Sequence, residues 1–237
     1  MERKKYVIVM AAGRGTRMGA SVPKQFMDLD GKPILQRTIE KFVYADPDVK
    51  VVTVLPKEYI DTWKDYCTKY NFLTPQMLVE GGITRFHSVK NALARVPDGA
   101  IVAIHDGVRP MISSELISSM FKKMSGCRAL IPILPSVDTL KAVREVKGDD
   151  GEVRYETIAD TVIDRSTVFR AQTPQMFLSE DIKAAYEQAF DLAFTDDASV
   201  AQKKEIPLSY TLGERLNIKI TTQDDLDFAR ALLSLKR

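Results

Sequence analysis

Five short apolar runs, at 6–10, 49–55, 76–80, 100–104 and 129–133, alternate with segments of helical period at 34–45, 57–70, 84–95 and 113–124. This alternation predicts an α/β fold built on a doubly wound, mostly parallel (mixed) sheet, because each right-handed crossover returns the chain to lie beside an earlier strand. In such a sheet the loops leaving the carboxyl ends of the strands gather along one edge, where ligands bind. The residues that follow each apolar run are therefore where chemistry is expected. With 237 residues and 45% hydrophobic side chains, a single domain over 1–237 has enough apolar surface for a core of its own.

The alternation stops after Pro135. Val137–Val146 and Val153–Ile158 flank the turn-rich Lys147-Gly-Asp-Asp-Gly-Glu152 without a helix between them, which predicts an exposed β-hairpin arm at 137–166 inserted in the domain. Two strands bury little by themselves, so Val143, Val146, Val153 and Tyr155 would stay half-solvated unless a partner covers them, and an oligomer is expected. Beyond the arm, helices are expected at 179–192 and 196–203, strands near 208–211 and 216–220, and a last helix at 223–235 starting from Thr222.

A formal net charge of +2 with 28% charged residues provides no polycationic surface, so no nucleic-acid partner is expected and any attraction for anions is local. No apolar run approaches the roughly 18 residues of a membrane span, and no leader is evident, so the expectation is a soluble, unprocessed, cytoplasmic protein. Cys67 and Cys127 lack C-x-x-C spacing and read as reduced, buried thiols. His87 and His105 make no H-x-x-x-H, which argues against a histidine-built zinc centre.

The first candidate loop is Val7-Ile-Val-Met-Ala-Ala-Gly-Arg-Gly-Thr-Arg-Met-Gly19, followed by Pro23-Lys24. Gly13, Gly15 and Gly19 let backbone N–H groups approach phosphate oxygens closely, and Arg14, Arg17 and Lys24 place three cations within eleven residues. The spacing G-x-G-x-x-x-G is one residue longer than the dinucleotide fingerprint, and no G-x-x-x-x-G-K-[ST] is present, so neither an NAD loop nor a P-loop fits. A tight strand-to-helix turn with solvated arginines is the plainer reading of two glycines. Three glycines and three cations directly behind a buried strand favour a triphosphate.

Three further segments carry candidates. In Glu80–Lys90, Gly81 and Gly82 precede a helix with a Thr84 cap, and Ser88 lies one turn inside it. In Ile104-His-Asp-Gly-Val-Arg-Pro110, Asp106 can orient hydroxyls or help a magnesium ion and Arg109 can clamp a phosphate; equally, the two can pair and fix the turn. In Asn217-Ile-Lys-Ile-Thr-Thr222, alternation sets Lys219 opposite Ile218 and Ile220, facing either an anion or solvent.

The run A-A-G-x-G-x-R-M-G followed by P-K resembles the nucleotidyltransferases that activate sugar phosphates. Together with G-G-x-x-R-x-x-S, H-D-x-x-R-P, Ala171-Gln-Thr-Pro-Gln-Met-Phe177, Thr195-Asp-Asp-Ala198 and N-I-K-I-T, it is most similar to the 2-C-methyl-D-erythritol 4-phosphate cytidylyltransferases of the non-mevalonate isoprenoid pathway, from Val7 to about Ala231. That resemblance implies a Rossmann-like nucleotidyltransferase fold, CTP and a small sugar-alcohol phosphate as substrates, Mg²⁺ as cofactor and a homodimer formed through the arm.

The resemblance also assigns residues. Ala11, Ala12, Gly13 and Gly15 belong to the nucleotide loop. Gly81, Gly82, Arg85 and Ser88 line the base, with cytosine read by the backbone of Ala12 and Gly81 and by the Ser88 hydroxyl, while His87 is left to packing or a loop hydrogen bond. Asp106 and Gly107 complete the nucleotide side; Gly107 stands where alanine is frequent, which should leave a backbone contact unharmed. Arg17, Lys24 and Lys219 form the catalytic set around the reacting phosphates. Asp106, Arg109, Thr173, Thr195 and Lys219 hold the acceptor, joined by Thr139 and Arg165 from the neighbour's arm; Asp106 is the one candidate metal contact.

Taken alone, Arg165 could pair with Asp164, and Phe194–Ser199 could be only a helix cap. A ribitol 5-phosphate cytidylyltransferase shares most of these motifs, but Ala11-Ala12-Gly13 and Ile163-Asp-Arg-Ser166 match the isoprenoid enzymes better. A non-catalytic nucleotide-binding module would not need both Lys24 and Arg165. The chain ends soon after its last helix, so no fused downstream enzyme is expected.

Overall fold

A computed structural model describes residues 3–13, 23–159 and 161–235. The first half runs β1 (Lys5–Met10), β2 (Asp28–Leu29), β3 (Lys32–Pro33), α1 (Ile34–Ala45), β4 (Lys50–Leu55), α2 (Ile60–Lys69), β5 (Gln76–Glu80), α3 (Arg85–Leu93), β6 (Ile101–Asp106) and α4 (Ser114–Lys123). The second runs β7 (Ala129–Pro135), β8 (Val143–Lys147), β9 (Val153–Thr157), β10 (Phe169–Ala171), β11 (Gln175–Leu178), α5 (Ser179–Ala185), α6 (Asp197–Lys203), β12 (Ser209–Leu212) and α7 (Gln223–Ser234).

The main sheet has the order β10-β7-β11-β6-β1-β4-β5, with β12 parallel to β7. β1 lies between β4 and β6 and parallel to both, with Val7 opposite Val51 and Ala103. Its residues are apolar without interruption because both faces of a wound sheet are covered. Period-two alternation divides them: Ile8 packs with Val52, Val54 and Ile104 under Val89, Ala92 and Leu93 of α3, whereas Val7 and Val9 pack with Val51 and Ala103 under Leu35, Ile39 and Phe42 of α1 and Met120 of α4. A third cluster closes the end near the site, joining Leu29, Ile34, Val108 and Ile220 to Leu226 and Ala229 of α7. The doubly wound, mostly parallel arrangement is the one the alternation predicts.

Several elements differ from expectation. β11 inserts antiparallel between β6 and β7, and β10 and the short β2–β3 pair were not foreseen. The helix expected at 179–192 ends at Ala185, because the Gln188 amide takes the carbonyls of Ala185 and Val200 and the chain turns to bring Phe190 and Phe194 onto Phe86. Residues 216–220 form no strand; Ile220 is fixed by donating its N–H to the Val108 carbonyl and by burial in the third cluster. In the arm, β8 begins at Val143 rather than 137, pairing with β9 from Val143 opposite Thr157 to Lys147 opposite Val153. None of the described arm residues enters a core cluster, and Tyr155 is 70% exposed. Among the described residues no helix is long and apolar enough to cross a membrane.

The amino end of α3 is fastened to α6 by a buried charge. Arg85 donates from both terminal nitrogens to Asp197, at 2.8 and 2.5 Å, and the Tyr186 hydroxyl donates to the same carboxylate at 2.6 Å. Asp197 is fully buried. Asp197→Ala is expected to fall at the lower end of the roughly 3–5 kcal/mol lost when a buried pair is broken, since Arg85 keeps 35% of its side chain exposed. Tyr186→Phe should cost only about 1 kcal/mol. Urea unfolding checks both, and equal losses would contradict the ranking.

Candidate active site

The carboxyl end of β1 is tied to the segment that returns toward it. Ala11 donates to the Val54 carbonyl at 2.9 Å, and the buried Gln25 amide donates to the Ala11 carbonyl at 2.9 Å and to Gly13 at 3.4 Å. Gln25 follows Lys24 directly, in a short 3-10 turn at Lys24–Phe26 that rests on Tyr59 and Trp63 through Phe26. The backbone of Lys24 is thereby held next to Gln25 near the strand end. Gln25 was missed in the sequence; a polar residue directly before an aromatic anchor was its one signal. Arg14, Gly15, Arg17 and Gly19 lie outside the described residues.

Beside this end stands the loop after β5. The Gly81 N–H donates to the Leu55 carbonyl at 2.8 Å, and the Gly82 N–H donates to the Ser88 hydroxyl at 2.9 Å. That hydroxyl, itself buried, donates to the Thr84 carbonyl at 2.8 Å. A Cβ on Gly81 would lie 2.6 Å from the Ala12 Cβ, and one on Gly82 would lie 2.5 Å from the His87 Cβ, so two loops abut where only glycine fits. Ala12, Gly81 and Ser88 are thus brought together, Ser88 as the brace of the loop. His87 meets Thr84 through Nδ1 at 2.8 Å and packs on Phe86 and Phe190, as expected for a packing residue. Arg85 turns to Asp197.

The charged centre lies at the end of β6. Asp106 Oδ2 accepts from Arg109 Nε at 3.0 Å and stands 3.2 Å from Lys219 Nζ, while Arg109 Nη1 donates to the Asn217 carbonyl at 2.8 Å. The turn-fixing pair of Asp106 and Arg109 is therefore formed, and Lys219 joins it with 44% of its side chain exposed. Lys219 faces this cluster although its segment is no strand. Burial alone would raise the Asp106 carboxyl, but Lys219, Arg109 and Arg85 overcome it and hold the group well below the usual carboxylate range. Beneath it, burial pushes the His105 imidazole down to about 4, so this ring is neutral at pH 7.

Other expected residues have their atoms engaged. The Gly107 N–H donates to the Met10 carbonyl and its own carbonyl accepts from Thr38, and a Cβ there would lie 2.9 Å from Met10 O, so glycine serves close approach of two strand ends. Thr173, buried, accepts from the Asp106 N–H at 3.1 Å and bonds His105 Nδ1 at 3.1 Å. Asp196 caps α6 in a capping box with Ser199, leaving Thr195 exposed beside it. Asp164 takes the N–H and hydroxyl of Ser166, while Arg165 donates to the Val137 carbonyl at 3.2 Å, so no Arg165–Asp164 pair forms. Thr139 and Arg165 are exposed, and among the described residues neither bonds to the Asp106 cluster.

Two consequences can be measured. Gly81→Ala forces the Ala12 and Gly81 loops apart and is expected to destabilise the protein by about 1–3 kcal/mol; an unchanged urea midpoint would refute the close packing. Because the Asp106 pKa is depressed on folding, its contribution is present above the unfolded value near 3.9 and is lost as pH falls towards the folded value. Asp106→Asn should therefore be less stable than the parent at pH 7, and urea midpoints should show the gap narrowing from about pH 4 towards pH 2. A gap independent of pH would contradict the charge assignment.

Comparison with known proteins places the chain in a family. The 2-C-methyl-D-erythritol 4-phosphate cytidylyltransferase family profile matches residues 6–235. The chain is 41% identical over 226 residues to a 2-C-methyl-D-erythritol 4-phosphate cytidylyltransferase of Bacteroides fragilis, covering 95% of this chain and 98% of that protein. It is 40% identical over 236 residues to the protein of that name from Porphyromonas gingivalis, covering 99% and 100%. Among solved structures it is similar to the 4-diphosphocytidyl-2C-methyl-D-erythritol synthase of Anaerococcus prevotii, with a TM-score of 0.78, 29% identity and coverage of 99% and 100%.

Proposed function

The chain belongs to the 2-C-methyl-D-erythritol 4-phosphate cytidylyltransferase family, and on that premise we propose that it transfers CMP from CTP to 2-C-methyl-D-erythritol 4-phosphate, giving 4-diphosphocytidyl-2-C-methyl-D-erythritol and pyrophosphate. The observation that carries this reading is a pair of loops packed so closely that only glycine fits, beside two cations gathered on one carboxylate, all on one edge of the sheet.

An oxygen of the acceptor phosphate attacks the α-phosphorus in line; that P–O bond forms as the bridge to the β-phosphate breaks, and the electron pair leaves with pyrophosphate. The attacking phosphate is already ionised, so no residue has to remove a proton, and catalysis reduces to positioning and neutralisation of charge. Lys24, held at the β1 end, and Arg17 act on the α-phosphate and the leaving group. Arg109 and Lys219 draw in the acceptor phosphate, with Asp106 spacing the two cations. Gly81 and Ala12 present backbone to the cytosine, and Ser88 braces their loop.

A divalent ion, here assigned as Mg²⁺, would neutralise triphosphate oxygens when bound. Among the described residues no three His, Cys, Asp or Glu side chains cluster, and Asp106 is the single carboxylate at the centre. That donor set fits an ion carried mainly by the triphosphate and water with one protein oxygen at most.

The arm at 137–166, an insertion in a single domain over 1–237, forms the homodimer interface in this reading. Its exposed Val143, Val153 and Tyr155 gain cover there, and Thr139 and Arg165 at its base reach the neighbour's acceptor site. The enzyme works in the cytoplasm on water-soluble phosphates.

A panel of four triphosphates against methylerythritol phosphate and ribitol 5-phosphate tests the reaction, with pyrophosphate release as the signal. CTP with methylerythritol phosphate should be strongly preferred; equal turnover with ATP, or preference for ribitol phosphate, would overturn the assignment. Subunit mixing tests the shared site. Lys24→Ala and Arg165→Ala homodimers should each be nearly inactive, whereas random reassortment makes about half the dimers mixed and restores about a quarter of all sites. No recovery despite demonstrated exchange would place Arg165 in its own subunit's site.

A further inference from the structure

Two uncharged residues that the proposed mechanism leaves unused, His105 and Asn217, are both completely buried directly behind the Asp106 cluster. His105 Nε2 is 3.2 Å from the Arg109 carbonyl. A carbonyl only accepts, so Nε2 carries the proton and Nδ1 offers its lone pair to the Thr173 hydroxyl at 3.1 Å. Thr173 in turn accepts at its own carbonyl from Asn217 Nδ2 at 2.8 Å, and the Asn217 carbonyl accepts from Arg109 Nη1 at 2.8 Å. The bonds run in one sense round a closed circuit: His105 to Arg109, Arg109 to Asn217, Asn217 to Thr173, and Thr173 back to His105.

We infer that His105 and Asn217 are positioning residues that hold Arg109, and through the Asn217 segment Lys219, in place for a phosphate group. The inference rests on the reading that these two cations bind the acceptor's phosphate. Asn217 supports a role beyond stability, because its Oδ1 is buried with no partner among the described residues. Burying an acceptor unpaired is unfavourable, so the residue is held in place by its amide nitrogen and its carbonyl. The Asn217 carbonyl thus holds the Arg109 guanidinium while the His105 ring holds the Arg109 carbonyl, and Lys219 lies two residues beyond Asn217. His105 sits edge-on to Phe42 at 4.9 Å, so a phenyl ring can replace the imidazole with little loss of packing.

His105→Phe removes both of its bonds and keeps the ring. It is expected to raise the acceptor KM about tenfold, the loss of one hydrogen bond to a charged group's support, and to leave the CTP KM within about twofold. His105→Gln, whose amide N–H can reach the Arg109 carbonyl, should recover most of that loss. In an Arg109→Ala background His105→Phe should add nothing further to the acceptor KM. Equal rises in both KM values, or full additivity with Arg109→Ala, would overturn the inference, since a general structural defect gives either. If His105→Phe does not fold, Asn217→Ser, which removes the Thr173 tether, is read in the same way. Inorganic phosphate, titrated by ³¹P line broadening, probes the cation pair whatever the natural acceptor is, and should bind about tenfold more weakly in His105→Phe but not more weakly again in the double variant. A parent enzyme that turns over no acceptor would defeat the functional reading, while this titration would still decide on the circuit.

Discussion

Arg109 and Lys219 share a single oxygen of Asp106, and most of the site is built to keep that arrangement in place. A carboxylate taken out of water is unfavourable unless it is paired, and two cations close together repel unless something lies between them. Each group here makes the others tolerable. The sum is one net positive charge, which in the proposed reaction meets the acceptor's phosphate dianion. Preorganisation of this kind matters because charges already in position need no reorganisation at the moment of reaction.

The sheet supplies the precision. β1 and β6 run in parallel register to Met10 opposite Asp106, so the chain leaving β1 and the charged turn start side by side at the same edge of the sheet. Where neighbouring segments touch at this edge a glycine allows it: Gly107 against the Met10 carbonyl, and Gly81 of the loop after β5 against Ala12. Backbone contacts of this sort set distances more rigidly than long side chains do. The third core cluster then seats Ile220, which sets the path of Asn217 and Lys219 across the mouth of the site.

Much of this was legible in the chain. The parallel core, the loops that carry Gly81 and Asp106 and the exposed arm all follow from hydrophobic period and from glycine or charge directly after a strand. The misses share a cause. β11 pairs antiparallel between β6 and β7 by tertiary contacts that no local pattern marks, and the stretch at 217–221 takes its course from burial of Ile220 rather than from pairing. Gln25, His105 and Asn217 were not singled out because a buried polar residue is revealed only by its partners, and those lie 14 to 108 residues away in the case of Ala11 for Gln25 and Arg109 for Asn217. Thr173 was identified, but its use in bracing β6 was not.

The most direct test is a crystal structure of the enzyme with methylerythritol phosphate and a non-hydrolysable CTP analogue. The acceptor phosphate should lie within about 3 Å of both the Arg109 guanidinium and Lys219 Nζ, in line with the α-phosphorus. Lys219 should then have moved off Asp106. A phosphate bound elsewhere, with Lys219 still 3.2 Å from Asp106, would contradict the central claim.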